Sequence, residues 1–244
     1  IPVYEGKIFL LSEHLSRLER SLSQTGISKP SAWNQIPVIM EELIQKNILP
    51  NQSVYIQISS GLELERSHLP KSNTKPTLFI FSSELKINPY RANPHKPGLE
   101  VITLEDPRWQ RCDVKAVTLL SNVMALKEAH SDNKDEVIFH RNGKVTEGSA
   151  SNIFVIFKDL ILTPPTSHQI LSGVTRKYVI SLLKSKNLNV LEEEIDIKKL
   201  YQADEVWMTS STKEIQPIRK IDERELNSIN PLDSLWFNAL SIFI

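Results

Sequence analysis

The dipeptide Asn142-Gly143 constrains this chain more than any other feature, because it stands between two runs of strand formers, Val137-Ile138-Phe139-His140 and Val145-Thr146-Glu147. Asn and Gly both accept positive φ, which the tight two-residue turn of a β-hairpin demands. Such a turn sets the pairing register, and a slip of one residue would carry every side chain to the opposite face. The hairpin is therefore expected to deliver Glu147 to one definite face of a sheet, with His140 an ordinary strand residue.

A second organising stretch lies upstream: Arg108-Trp109-Gln110-Arg111-Cys112-Asp113-Val114-Lys115. Leu99 to Leu104 read as a strand before it. Val117, Leu120 and Met124 have helical spacing after it, so Lys115 is expected where a strand gives way to a helix. An amine held in a protein interior loses hydration and becomes a nucleophile toward carbonyls at neutral pH, the property of a Schiff-base lysine. A solvated lysine at a strand end is the alternative that Lys115 alone leaves open. Glu147 changes the balance, because a carboxylate in the turn Thr146-Glu147-Gly148-Ser149 can hydrogen-bond a pyridine nitrogen and keep it protonated. An amine for the aldehyde and an acid for the ring nitrogen are the pair that pyridoxal phosphate needs.

Arg108-Trp109-x-Arg111-Cys112-Asp113-Val114-Lys115 with Leu119-Leu120-x-Asn122, followed by Thr146-Glu147-Gly148-x-x-x-Asn152, resembles the fold-type IV pyridoxal-phosphate enzymes. Among them the chain is most similar to the bacterial D-amino acid aminotransferases, over residues 1–244. The resemblance implies an α+β fold of two domains. Residues 1–87 would form a small N-terminal α/β domain with an antiparallel sheet, 88–98 a linker, and 99–244 a larger pseudo-barrel domain that binds the cofactor. The implied reaction is transamination of a D-amino acid, D-alanine with 2-oxoglutarate giving pyruvate and D-glutamate, through Lys115.

The same resemblance assigns cofactor-binding roles to Glu147, Ser149, Arg17, Leu171, Val174, Thr175, Ser211 and Thr212. Arg17, Val174, Thr175 and the Ser210-Ser211-Thr212 turn would hold the phosphate, and Leu171 would lie against the pyridine ring. Arg66 and His68 would trap the substrate carboxylate, with Ser151 also on the substrate side. In the family the Arg66-x-His68 loop reaches the neighbouring subunit's active site, which implies a homodimer. Two local departures stand out: Ser149-Ala150-Ser151 lacks the middle hydroxyl of a frequent three-serine run, and the spacing from Gly61 to Arg66 is one residue longer than usual. Family members also carry a segment upstream of the position at which this chain begins, Ile1-Pro2-Val3-Tyr4, and that piece is missing here.

Several of these residues support two readings on their own chemistry. Arg17 sits at the edge of the apolar helix face Leu15, Leu18 and Leu22, where its stem can simply cover core. Arg66 and His68 form a carboxylate clamp or a solvated polar loop. The helix opening after Gly173 presents N–H groups and a dipole suited to phosphate, or is merely capped.

The remaining chain reads as regular elements. Val3-Tyr4, the turn Glu5-Gly6 and Ile8-Phe9-Leu10 form a hairpin; Ser12 caps the first helix and Gly26 closes it. A second helix covers 37–46. Strands follow at 54–58, with clear alternation, and 77–81, a more fully buried run. The proline-rich stretch 88–98 marks the linker. Cys112 is expected as a small buried hydrophobe, and Trp109 as core or dimer contact. Asn152 to Phe157, a turn at Lys158-Asp159 and Leu160 to Leu162 continue the sheet. Val179, Leu182 and Leu183 are the inner face of a helix, Val206 to Thr209 a strand. Leu232, Leu235, Trp236, Ala239, Leu240 and Phe243 form the closing helical face.

Composition excludes some classes. Lys+Arg and Asp+Glu number 29 each, so no basic footprint points to nucleic acid. Cys112 is the only cysteine, which rules out an intramolecular disulfide, offers no metal-ligand cluster and suits a reducing compartment. No apolar run approaches the roughly eighteen residues of a membrane span, and no signal sequence is visible. The chain is read as cytoplasmic, with neither metal, nucleic acid nor membrane as partner. Within the same fold the alternatives are an aminodeoxychorismate lyase or a branched-chain L-aminotransferase, against which Arg66-x-His68 argues. A non-catalytic homologue is the third, opposed by the presence of both Lys115 and Glu147.

Overall fold

The computed structural model describes residues 1–71, 74–226 and 230–243. By its contacts the chain divides into two compact units, Ile1–Ile87 and Asn88–Ile244.

In the first unit, β1 (Pro2–Tyr4) and β2 (Lys7–Ile8) pair across Glu5-Gly6, whose φ angles of 49° and 77° are those of a tight hairpin turn. The helices α1 (Leu11–Thr25) and α2 (Ile36–Lys46) follow, then β3 (Gln52–Ser59) and β4 (Thr77–Glu84). The sheet is antiparallel in the order β2-β1-β3-β4. Val3, Ile36, Met40, Ile44 and Val54 form its core, with Ile56, Leu78 and Ile80 packed against them. Gly26 closes α1 with φ 70°, a conformation that costs a side chain about 1–2 kcal/mol. Ser12 is not the cap: Leu10 occupies that position without a side-chain hydrogen bond, and Ser12 Oγ donates to Glu13 instead. Nor is 77–81 fully buried. It alternates, Leu78 and Ile80 meeting the core while Phe79 and Phe81 lie beside Tyr55 on the exposed face.

The second unit contains α3 (Pro89–Ala92), β5 (Leu99–Glu105), α4 (Leu120–Ser131), β6 (Glu136–Arg141), β7 (Lys144–Gly148), β8 (Asn152–Phe157) and β9 (Leu160–Thr163). It continues through α5 (Val174–Ser185), β10 (Asn189–Glu192), α6 (Ile197–Leu200), β11 (Glu205–Ser210), β12 (Glu214–Ile221), β13 (Arg224–Glu225) and α7 (Leu235–Ser241). Residues 88–98, read as a linker, fold with this unit: Asn88 donates to the carbonyls of Lys213 and Ile215, and Tyr90 is buried.

The large sheet runs β10-β9-β8-β11-β12-β5-β6-β7, with β13 pairing β12. β11, β12, β5 and β6 all stand between β8 and β7, yet residues 149–151 alone connect those two strands. The sheet must therefore curl into a half-barrel, filled by residues such as Val101, Ile138, Ile153, Val155, Val206, Met208 and Ile218. Fold class is thus α+β, a small antiparallel sheet with helices and a larger curled mixed sheet.

The spacing Val117, Leu120, Met124 misplaces the buried face of α4. The helix begins at Leu120, all three residues are exposed, and Ala125 and Ala129 pack on Val137 and Phe139 instead. Trp109 is 51% exposed and so is no core residue, while Cys112 is buried as expected. At the end of the chain Leu232 is exposed; Ser234 caps α7 by accepting from the Phe237 N–H, and Trp236, Ala239 and Leu240 are buried.

Candidate active site

The site begins where β5 ends. Asp106, buried, accepts two hydrogen bonds from Arg108 in a fork, Nε to Oδ1 and Nη2 to Oδ2, both at 2.8 Å. Arg141, from β6, donates Nε to the same Oδ2 at 3.1 Å, and its Nη2 reaches the carbonyls of Arg108 at 2.8 Å and Trp109 at 2.9 Å. The backbone that leads to Lys115 is thereby stapled to β6. Burial pushes the Asp106 carboxyl up, but Arg108 and Arg141 outweigh it and hold the group below the usual range.

The hairpin β6–β7 brings Glu147 to this cluster. Asn142 and Gly143 have φ of 50° and 74°, the two-residue turn expected of this dipeptide. The pairing then shifts: His140 faces Val145, but Ile138 faces Gly148, so Phe139 stands opposite both Thr146 and Glu147. This bulge breaks strict alternation and turns both residues toward one cluster, Thr146 Oγ1 reaching Asp106 Oδ2 at 3.4 Å while Glu147 meets Arg108.

Glu147 is 4% exposed. Its Oε1 accepts from Arg108 Nη1 at 2.6 Å; its Oε2 accepts from the Leu171 N–H at 2.9 Å and Asn152 Nδ2 at 3.1 Å. Burial drives the carboxyl up to about 7, with Arg108 and the Leu171 N–H opposing the rise. A carboxylate offers about four acceptor positions, so one remains on Oε1. For Arg108, burial works against its charge, but Asp106 and Glu147 together raise the guanidinium above its ordinary value; it also lies 4.7 Å over the Phe139 ring.

The start of α5 lies beside these groups. Gly173 is its N-cap and supplies no side-chain hydrogen bond, so the N–H groups of the first turn, at the buried Val174 and Thr175, have no partner within the helix. A Cβ on Gly173 would meet Asn152 Oδ1 at 2.0 Å; this glycine allows Asn152 to approach. Asn152 also donates to the Leu171 carbonyl, tying 171–173 to β8. Among the described residues two buried hydroxyls, Ser151 Oγ and Thr209 Oγ1, have no hydrogen-bond partner, and Thr209 pairs with Asn152 across β11 and β8.

Of the residues singled out in the sequence, the second unit brings Glu147, Leu171, Val174, Thr175, Ser149 and Ser151 into one region. Ser149 is buried, its carbonyl accepting from Asn122 Nδ2 at 2.6 Å. Ser211 and Thr212 form the turn between β11 and β12, with Thr212 exposed. Lys115 occupies the irregular run between β5 and α4, as its flanking patterns require, but it is exposed. The desolvation argued from a buried amine is therefore not supplied by burial within this chain.

Arg17, Arg66 and His68 belong to the first unit. Arg17 is half-buried on α1, with its guanidinium pushed down to about 10 by burial and then by Arg20; Arg66 and His68 are exposed in the irregular run before β4. Sequence reasoning assigned no role to Asp106, Arg108, Arg141 or Gly173. The spacing Asp106-x-Arg108 was the available signal, since a carboxylate two residues before an arginine can fork with it locally.

The same chain, with its small antiparallel unit and its half-barrel, matches a family model over most of its length. The model for amino-transferase class IV covers residues 1–221. The chain belongs to the class IV aminotransferases. It is 33% identical to D-alanine aminotransferase of Listeria monocytogenes, over 91% of this chain and 76% of that protein. Among solved structures, a branched-chain amino acid aminotransferase from Thermobaculum terrenum in its PLP form superposes with TM-score 0.89 at 24% identity, over 100% of this chain and 81% of that one. A putative 4-amino-4-deoxychorismate lyase from Legionella pneumophila gives TM-score 0.86 at 23% identity, over 100% and 89%. At these identities the two structures speak for the fold alone.

Proposed function

We propose that the chain transfers amino groups from D-amino acids to 2-oxo acids, D-alanine with 2-oxoglutarate being the representative pair, using pyridoxal phosphate. The observation that carries this reading is the buried Glu147 carboxylate with one acceptor position left on Oε1, in a chain similar to D-alanine aminotransferases.

The donor set fits the cofactor. An anionic phosphate suits the uncapped N-terminus of α5 at Val174 and Thr175, and the unpartnered hydroxyls of Ser151 and Thr209 are available nearby. Ser149, Ser211 and Thr212 would complete the ligands within this unit, with Leu171 against the ring, and the resemblance adds Arg17 for the phosphate. When bound, pyridoxal phosphate supplies a sink for the electron pair left at the substrate Cα. Lys115 would supply the amine that holds the cofactor's aldehyde and, once the substrate's amino group displaces it, would act as the free base that takes the Cα proton. Glu147 holds the proton on the ring nitrogen. Arg66 and His68 fix the substrate carboxylate, which decides the face of Cα that Lys115 meets and hence the enantiomer.

The active unit in this reading is a homodimer, supported by the exposed apolar run Val117, Leu119, Leu120, Val123 and Met124. No helix among the described residues is long and apolar enough to cross a membrane. A cytoplasmic location suits a chain whose single cysteine is a free, buried thiol.

The test is the visible spectrum of the chain with pyridoxal phosphate, before and after D-alanine. The cofactor's visible band should form, depend on Lys115 (absent in Lys115→Ala) and move to shorter wavelength with D-alanine but not with L-leucine. The reverse preference would make it an L-aminotransferase. A band that no amino acid shifts would favour the lyase, and no band at all a non-catalytic homologue.

A further inference from the structure

We propose that Arg108 is a positioning residue for Glu147: held in a fork by Asp106, it favours the ionised form of the Glu147 carboxylate against burial and turns it so that one Oε1 lone pair stays open for the cofactor's ring nitrogen. The role of that lone pair rests on the functional reading above; the coupling of the two side chains does not.

The geometry argues for it in three ways. First, Glu147 lies in a site that would otherwise neutralise it. Its side chain is 6% exposed; among the described residues Arg108 and Asp106 act on its charge, the Cys112 thiol lies within their field, and Arg141 reaches the cluster through Asp106. Asp106 bears the same sign, so Arg108 is the cation that directly touches Glu147, at 2.6 Å. Second, Arg108 is itself fixed. Its Nε and Nη2 are committed to Asp106, which Arg141 holds from the other side, and its guanidinium rests over Phe139; only Nη1 is left to point at Glu147. A planar fork held by one carboxylate thus aims its remaining edge at a second. Third, the two oxygens of Glu147 are used unequally. Oε2 takes the Leu171 N–H and Asn152, while Oε1 takes Arg108 alone, which prevents the carboxylate from rotating and leaves the open lone pair on a defined atom.

Removing one member of a buried ion pair leaves the other charge uncompensated, whereas removing both does not. The experiment uses the full chain without added cofactor, following melting temperature from pH 5 to 9. In the wild type the decline with pH should level off near neutrality. In Arg108→Met it should continue to higher pH than in the wild type, because Glu147 then keeps its proton further into the alkaline range. In Arg108→Met/Glu147→Gln the decline should vanish. If Arg108→Met does not fold, the double variant should, since Glu147 is then uncharged and Asp106 keeps Arg141; a double variant no better than the single would mean that Arg108 acts through Asp106 and its loop and not through Glu147, and would overturn the proposal. An Arg108→Met profile superimposable on the wild type would overturn it too.

A second readout separates the proposal from the functional reading. Pyridoxal phosphate affinity, followed by quenching of intrinsic fluorescence, should fall about tenfold or more in Arg108→Met, and no further in the double variant, as coupled residues require. Additive losses would count against the coupling. A wild-type chain that binds no cofactor would defeat the functional reading while leaving the pH result of the cofactor-free chain to judge Arg108.

Discussion

A carboxylate as deeply buried as Glu147 is held by opposed effects, lost hydration against the charge of Arg108, and the balance places it at about 7. The unfolded chain releases the same proton near 4.5. The folded state therefore binds more protons between these values, so this group's contribution to stability is fully present below pH 4.5 and is lost as pH rises to about 7. Asp106, held low, acts in the opposite sense and only in acid, below 3.8. Glu147→Gln should remove the first component from a pH series of melting temperatures; an unchanged series would place the titration elsewhere. Gly173 is a second residue with one clear job. Its φ of −65° is ordinary, so the backbone would accept alanine, but the new methyl would stand 2.0 Å from Asn152 Oδ1. Gly173→Ala should cost about 1–3 kcal/mol in denaturant unfolding, as overpacking does, and weaken cofactor binding as Asn152 leaves Glu147. Wild-type stability would mean that α5 can shift to make room.

At the scale of elements, the hairpin β6–β7 shows how a local signal and a tertiary one divide the work. Asn142-Gly143 forms the turn that the dipeptide favours. The bulge after it then places Thr146 and Glu147 together opposite Phe139, and no turn residue announces that shift. Gly143 has φ 74° and nothing within 4 Å of a prospective Cβ, so Gly143→Ala should lose about 1 kcal/mol from backbone strain alone. Urea denaturation would measure it, and cofactor affinity of the folded protein should not change. A much larger loss would mean that the turn has a second constraint. The α4 pattern misled for a related reason. Val117, Leu120 and Met124 repeat at helical spacing, but the helix packs through Ala125 and Ala129, whose small side chains let it sit close on β6. A large apolar residue advertises a buried face; a small one does not.

For the whole molecule, the proposed division of labour puts Lys115 and Glu147 in one unit and the carboxylate trap Arg66 and His68 in the other, with the trap serving the neighbouring subunit. Lys115→Ala and Arg66→Ala should each be inactive as homodimers. Mixed and reassembled, they should recover about a quarter of the wild-type activity, because half of the dimers would be mixed and each would hold one intact site. No recovery, with mixed dimers demonstrated, would place the trap and the lysine of one site on the same chain.

The sequence by itself determined many of the elements and marked candidate site residues. Alternation and turn residues placed the strands, Gly26 ended its helix, and two separated motifs marked Lys115 and Glu147. These are effects of neighbouring residues on one another, and the chain order displays them. Tertiary structure decided the rest. The curl that brings β7 to β8, the bulge that aims Glu147, the approach of Asn152 over Gly173, and the Asp106, Arg108 and Arg141 network all depend on residues far apart in the chain. Their charge balance exists only once burial has removed water from around them, and no periodicity in the sequence records that removal.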